Sequence, residues 1–404
     1  MWRIFTIYRC YLVIGKRILI LGAGFGGLAA ANLLRKNLSV DHRIIIIDKK
    51  QSFIMGFVNL WIMYGIRRLE ASQTDLNILK QRGIEFLKGE ITKIDIQRSK
   101  VATNVHGELG YDYLIIALGA ELAPEKINGF VENRGFNLYD AQQTPKLHEK
   151  LVSLKRGRIA ICIMGIPYKC PPAPYEASLL INDMLIKNGT RNSIEIDLYI
   201  PTPMALPVAG QKISQSVVDL ISYNNINFYP SHKLKSVWEN EIEFENGSKR
   251  NYNVLVGIPP HKVPDVIKNS GLINRKEGGG EETWITVDRY SLRTVYKNVF
   301  AVGDVTEIKL TEMTAIPKAG IFAESEAKVV AQQIIDDITN KSSNTKFDGK
   351  GFCFMEIGNK KAGYIDADFY NEAGPITRLE PASEDSYQKK WDFESSRIRE
   401  WLLW

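Results

Sequence analysis

The chain has 404 residues, 45% of them hydrophobic and 24% charged, with a formal net charge of +6. That is enough apolar content for two or three packed cores, and it excludes wholesale disorder. Lysines and arginines are scattered among nearly as many acids, with no basic block interleaved with aromatics, which excludes nucleic acid as a partner class and leaves anionic lipid or small anionic substrates.

Residues 1–15 are rich in aromatic and β-branched residues, but Arg3 and Arg9 interrupt them and no small-residue cleavage site follows. They do not read as a signal peptide, and no run reaches the length of a membrane span. The expected location is therefore the cytoplasmic side. Four cysteines, Cys10, Cys162, Cys170 and Cys353, are too few and too dispersed for a disulfide scaffold. They have no metal-ligand spacing, so no metal site is expected.

The stretch RILILGAGFGG, then LAAANLLRKN, then RIIIID predicts strand, turn, helix and second strand. Gly22, Gly24 and Gly27 form a G-x-G-x-x-G turn: the first glycine bends tightly, the second admits a pyrophosphate to the backbone, and the third lets helix and strand pack. The phosphates would meet the helix N-terminus, whose free N–H groups favour anions. Asp48, at the end of the second strand, is placed to accept a ribose hydroxyl. All four features agree on dinucleotide binding.

Residues 53–64 (FIMGFVNLWIMY) read as core, with a cofactor- or quinone-lining wall as the other reading. Short strands follow near Ile84, Ile91 and Val101, and YDYLIIALGA returns the chain to the first sheet. A second strand–helix–strand unit begins at RIAICIM (158–164), with a helix at 176–187 and a strand at 194–200. Where that unit would need a phosphate turn it has GIPYKCPPAP, whose prolines offer no N–H groups, so nicotinamide dinucleotide is not expected there. Cys170 instead precedes the helix beside Lys169, a setting that lowers thiol pKa and reads as a reactive thiolate, a structural cysteine being the alternative. Cys162, inside a strand, reads as inert.

YNVLVGI (252–258) ends the second unit, KEGGGEE (276–282) is a loop, and NVFAVGDV predicts a strand stopping at Gly303 and Asp304. An acid there suits a polyhydroxyl ligand. Lys318, Ala319 and Gly320 open a helix to residue 335, and 338–350 reads as a linker. GFCFMEIGNKKAGYIDADFY holds two strands around a turn, with Cys353 in the first. The last stretch, SYQKKWDFESSRIREWLLW, places Tyr387, Trp391, Ile398, Trp401 and Leu402 near helical spacing with Lys389, Lys390, Arg397 and Arg399 between them. It is read as an amphipathic helix for a membrane interface, with packing on the protein's own core as the competing view.

From Arg17 onward these residues resemble the two-dinucleotide-domain flavoproteins, and among them the sulfide:quinone oxidoreductases and flavocytochrome sulfide dehydrogenases. GAGFGG with Asp48, YDYLIIALGA (Ala117 and Gly119), NVFAVGDV (Gly303 and Asp304) and IPKAG (Lys318, Ala319 and Gly320) are similar to that family's FAD-binding segments. KCPPAPYE and GFCFMEIG resemble its redox-cysteine regions, which implies redox roles for Cys170 and Cys353, proton transfer by Glu176 and support of a reduced flavin by Lys318. The implied fold is α/β, glutathione reductase-like: an FAD-binding Rossmann-like domain at 16–120 and 285–337, a second Rossmann-like domain at 121–284, and a C-terminal domain at 338–404 with a membrane-binding helix. The chain departs from the family in having no cysteine in GFNLYDAQQT (135–144), and the histidines that several members carry near that segment and after the second unit's strand are read as missing.

The resemblance implies oxidation of sulfide to zero-valent sulfur through a cysteine pair, with FAD as cofactor and quinone as acceptor, on a peripheral membrane protein. The rival readings are a type II NADH:quinone oxidoreductase, a flavoprotein subunit that uses its Trp-rich tail to dock a cytochrome partner, and an inactive flavin-binding scaffold. A homo-oligomer is compatible with all of them.

Overall fold

A computed structural model of the protein describes residues 15–133, 135–273, 284–312 and 314–403. The N-terminal stretch with Cys10, the KEGGGEE loop and Trp404 lie outside the described residues.

Two five-stranded parallel sheets organise the chain. The first has the order Val299–Ala301, Tyr113–Ile116, Arg17–Leu21, Arg43–Asp48, Glu85–Lys88. Its strands read as continuous apolar runs because both faces are covered: Ile18, Leu19, Ile20 and Leu21 are fully buried. The helices Phe25–Asn37 and Gly320–Ile338 pack together over one face. Strand order reverses beside Arg17–Leu21, and a parallel sheet opens its ligand crevice at such a point, outside the carboxyl ends of the strands.

The second sheet repeats the plan with Phe136–Asn137, Val254–Ile258, Gly157–Ile163, Ile194–Tyr199 and Asn227–Tyr229. Its covering helices are Thr144–Ser153, Ala173–Lys187 and Gly210–Tyr223. The architecture is thus mixed α/β with Rossmann-like parallel sheets. Residues 53–64 form core as expected: Phe53, Met55, Val58, Leu60, Trp61, Ile62 and Met63 are all buried.

The last part holds the two expected strands around a turn, Lys350–Gly358 and Lys361–Asp368, and a third not expected from the sequence, Ile376–Ser383, all antiparallel. The helix Glu384–Leu402 then lies across this sheet. Its start is written in the sequence: the Ser383 hydroxyl accepts the Ser386 N–H at 3.1 Å, and Glu384 and Asp385 sit at the positive end of the helix dipole. The tail does not hold all of its apolar residues outward. Trp401 and Leu402 are fully buried, with the Trp401 ring 5.5 Å from Phe25 and 6.1 Å from Phe53, and Trp391 stacks on Trp61 at 4.2 Å. For these residues the competing view, packing on the protein's own core, describes what is seen. The cause is complementarity: the indoles find aromatic partners from the first unit that lipid would not supply.

Candidate functional site

The glycine turn has the shape its spacing predicts. Gly22 adopts φ +99°, and a side chain there would sit 2.3 Å from the Ala117 carbonyl. A Cβ on Gly27 would come within 1.8 Å of the Gly22 carbonyl oxygen, so helix and strand touch through bare backbone. At Gly24 a Cβ would meet nothing within 4 Å, which leaves an open cradle in front of the helix N-terminus. Asp48 accepts the N–H groups of Ala23 and Lys50, each at 2.8 Å, and each carboxylate oxygen keeps a further lone pair for a ligand. Gly119 (φ +66°) and Gly303 (φ +74°) turn the chain at the ends of two neighbouring strands, so all these residues line one edge of the sheet.

Lys318 points back into the protein. Its ammonium donates to the carbonyls of Asp304 at 2.7 Å and Thr306 at 2.8 Å and lies 3.5 Å from the centre of the Trp284 ring. Burial pulls its pKa down to about 8. Two of its three donors are therefore committed within the chain, which leaves one for a ligand.

The cysteine loop is stapled to this same edge. The Cys170 N–H donates to the Lys318 carbonyl at 2.7 Å, and Cys170 sits at φ +51°, a conformation costly for a residue with a Cβ. The Tyr139 hydroxyl donates to the Lys169 carbonyl at 2.7 Å. The Lys169 N–H donates to Nε2 of His261 at 3.3 Å, so the Nδ1 of this ring carries the proton and donates to the Pro259 carbonyl at 3.0 Å. Burial and the charge of Lys169 drive the His261 pKa down to about 3, which keeps the ring neutral. His261 stands just beyond the strand Val254–Ile258, and His148 lies on the helix Thr144–Ser153, so reading the chain as lacking both histidines is corrected.

The Cys170 environment also differs from expectation. Burial raises the thiol pKa, the carboxylate of Glu176 and the neighbouring Cys353 add to it, and only Lys390 and the Ala173 N–H oppose. Cys170 lies just before the start of the helix Ala173–Lys187, but a desolvated sulfur beside an acid loses more from its surroundings than it gains from the dipole. Cys353, on the strand Lys350–Gly358, is pushed up to about 12 by burial and then by Glu176. Both thiols are free, and Glu176 bears electrostatically on each. Cys162 is buried in a strand with its pKa raised, as an inert thiol should be.

Glu176 is itself buried and held from two sides. Its Oε1 accepts Lys390 Nζ at 2.6 Å and the Glu356 N–H at 2.9 Å. Lys390 lies 3.2 Å from Glu356 Oε1, which in turn accepts Trp61 Nε1 at 2.7 Å. Burial raises the Glu176 pKa, with Lys390 pulling the other way. From the sequence, Lys390 is expected among the cations of a membrane-facing helix, and its burial between two carboxylates corrects that, since a lysine in a basic, aromatic tail carries no signal that it will be buried; Glu356 and Trp61 carry no site signal either. Nearby, Phe352, Phe354, Tyr364 and Phe393 form a half-buried aromatic box with ring centres 5.4–6.5 Å apart. Among the described residues no cluster of metal ligands occurs and no helix is long and apolar enough to cross a membrane.

Residues 16–165 match the family model described as pyridine nucleotide-disulphide oxidoreductase. The chain is 28% identical over 368 residues to the sulfide-quinone reductase of Aquifex aeolicus, covering 87% of this chain and 84% of that one. It is 27% identical over 350 residues to the mitochondrial sulfide:quinone oxidoreductase of Dictyostelium discoideum, covering 83% and 74%. The crystal structure of the Aquifex aeolicus sulfide:quinone oxidoreductase superposes with a TM-score of 0.85 at 25% identity, over 96% of this chain and 92% of that one.

Proposed function

From a chain that is an FAD-dependent oxidoreductase, similar over nearly its whole length to sulfide:quinone oxidoreductases, we propose sulfide oxidation to zero-valent sulfur at Cys170 and Cys353 with quinone as electron acceptor. The observation that carries this reading is the 2.7 Å hydrogen bond from Cys170 N–H to the Lys318 carbonyl, which ties the cysteine loop to the rim of the dinucleotide crevice. The open backbone at Gly24, the Asp48 carboxylate and the turns at Gly119 and Gly303 fit FAD; Ala117, Asp304, Ala319 and Gly320 stand along the same edge. When bound, FAD supplies a two-electron acceptor beside the cysteines.

The residues of the chain do the rest. Hydrosulfide opens a sulfur bridge between Cys170 and Cys353, leaving a persulfide on one and a thiolate on the other, and Glu176 takes and returns the protons. The aromatic box beside Cys353 offers stacking faces for a quinone ring. The division into 16–120 with 285–337, 121–284 and 338–404 follows from this reading, as does association with the cytoplasmic side of a membrane. There the exposed cations Lys389 and Arg399 of the last helix would meet anionic headgroups, in preference to docking a cytochrome or a second copy. A nicotinamide dinucleotide is disfavoured because the prolines of the second unit's loop offer no N–H groups to a phosphate and the Lys169 N–H is already given to His261, on which Tyr139 packs.

Anaerobic titration of the purified protein tests the proposal. Sulfide should bleach the flavin within the mixing time of seconds while NADH leaves it oxidised, and Cys353→Ser should abolish the sulfide response. Bleaching by NADH instead, or a Cys353→Ser protein that still reduces quinone with sulfide, would overturn it.

A further inference from the structure

The buried ion cluster joins three parts of the chain that are far apart in sequence. Lys390 comes from the last helix, Glu356 from the strand that bears Cys353, and Glu176 from the helix that follows Cys170. One ammonium faces two carboxylates, at 2.6 and 3.2 Å, with all three side chains no more than 3% exposed. A surface ion pair would be unremarkable, but burying an uneven set of charges costs free energy unless the imbalance is used or neutralised by a proton.

We propose that Lys390 is a positioning residue for Glu176: with Glu356 it fixes the carboxyl facing both cysteines and sets its charge, so the last helix is part of the redox site as well as a structural element. This rests on the reading above that Glu176 exchanges protons with the cysteine pair. The groups that face Glu176 from every side are Lys390 on the last helix, Glu356 and Cys353 on the strand, Cys170 on the loop, and Tyr139 across from it. Tyr387 also faces Lys390 and Glu356 from within the last helix. Burial and the charge of Glu356 favour the protonated acid, and Lys390, together with the Glu356 N–H, favours the ionised one.

This division of forces makes opposite predictions for two substitutions. Lys390→Met removes the one positive charge that favours ionisation, so Glu176 should hold its proton to higher pH. Glu356→Gln removes a competing negative charge and leaves Lys390 to Glu176 alone, so the proton should leave at lower pH. Each shift should reach about one pH unit, roughly tenfold in the ratio of ionised to protonated acid. A residue that merely holds the helix in place would move both variants the same way or neither.

The measurement is infrared difference spectroscopy of the holoenzyme against pH, following the protonated-carboxyl band that Glu176→Gln removes, with the pH profile of sulfide-driven flavin reduction read in parallel. Lys390→Arg should restore the wild-type titration. The proposal is overturned if the Glu356→Gln band titrates with wild type, a result that decides the matter even where Lys390→Met fails to fold. The two readings separate cleanly: a sulfide response that survives Cys353→Ser removes the cysteine mechanism, whereas an unmoved carboxyl band in a protein that sulfide still bleaches removes only the role of Lys390.

Discussion

At the scale of single residues, the dinucleotide turn was legible because its physics is local. Gly27 is required by a backbone oxygen 1.8 Å from where its Cβ would be, and a G-x-G-x-x-G spacing announces such a need. Gly27→Ala should forfeit flavin: either helix and strand separate or the turn reshapes, and the purified variant should be colourless while wild type is yellow. Glu326 was not legible. It sits in the middle of a helix with nothing in its neighbours to mark it, yet its carboxylate accepts the Gly303 N–H at 2.6 Å, and burial lifts its pKa from 4.5 to about 8. The folded chain keeps this proton where the unfolded chain has released it, so stability falls as pH rises from about 4.5 to about 8. Lys318, pulled down to about 8 by burial, works in the other window: the unfolded chain holds its proton up to 10.5, so stability rises with pH between about 8 and 10.5. Glu326→Gln should thus leave stability near pH 4.5 unchanged and raise it at pH 8 by on the order of a few kcal/mol. Thermal melting across that range checks it, and equal melting temperatures for the two proteins at pH 8 would refute the argument.

At the scale of elements, the parallel strands declared themselves as continuous apolar runs, and both units appear where those runs were. The strand Ile376–Ser383 did not, because it is an edge with charges and Pro381 in it, a pattern that reads as loop. The last helix was legible as a helix and misjudged as to where its aromatic residues lie. Amphipathic spacing states that one face is apolar; whether that face meets lipid or protein depends on partners hundreds of residues away. Here the partners include Arg67, whose guanidinium pairs with Glu394 at 2.8 Å and lies over both Trp61 and Trp391. Arg82 donates to the carbonyls of Arg399, Glu400 and Leu403 at the end of the helix, where orphan acceptors gather. Arg82→Ala should loosen the last turn at a cost of about 1–2 kcal/mol. Trp391→Ala, which empties the stack on Trp61, should cost about 3–5 kcal/mol. Chemical denaturation followed by tryptophan emission would rank the two, and a larger loss from Arg82→Ala would contradict the assignment.

At the scale of the whole molecule, the two cysteines illustrate what a sequence can and cannot carry. Their neighbouring motifs single them out as candidates, but their acidity depends on what surrounds them in three dimensions. A helix start and an adjacent lysine argue for a low thiol pKa at Cys170, and burial beside Glu176 reverses the sign. In the reduced protein, with no bridge between them, both thiols should therefore react slowly with iodoacetamide at neutral pH, and faster when Glu176 is replaced by glutamine, because a negative neighbour of each sulfur is then gone. Mass spectrometry of the alkylated peptides checks this, and rapid labelling of Cys170 in wild type would contradict it.

The stretch between the helix Gly320–Ile338 and the strand Lys350–Gly358 is exposed from Thr339 to Asn344, while everything that follows is clasped by earlier parts of the chain through Lys390, Arg67, Arg82 and the buried Trp401. A single cut by a protease in that stretch would sever the polypeptide without parting the halves. The two fragments should travel together through gel filtration and come apart only in denaturant, which makes this the natural place to divide the protein into separately expressed pieces that reassemble.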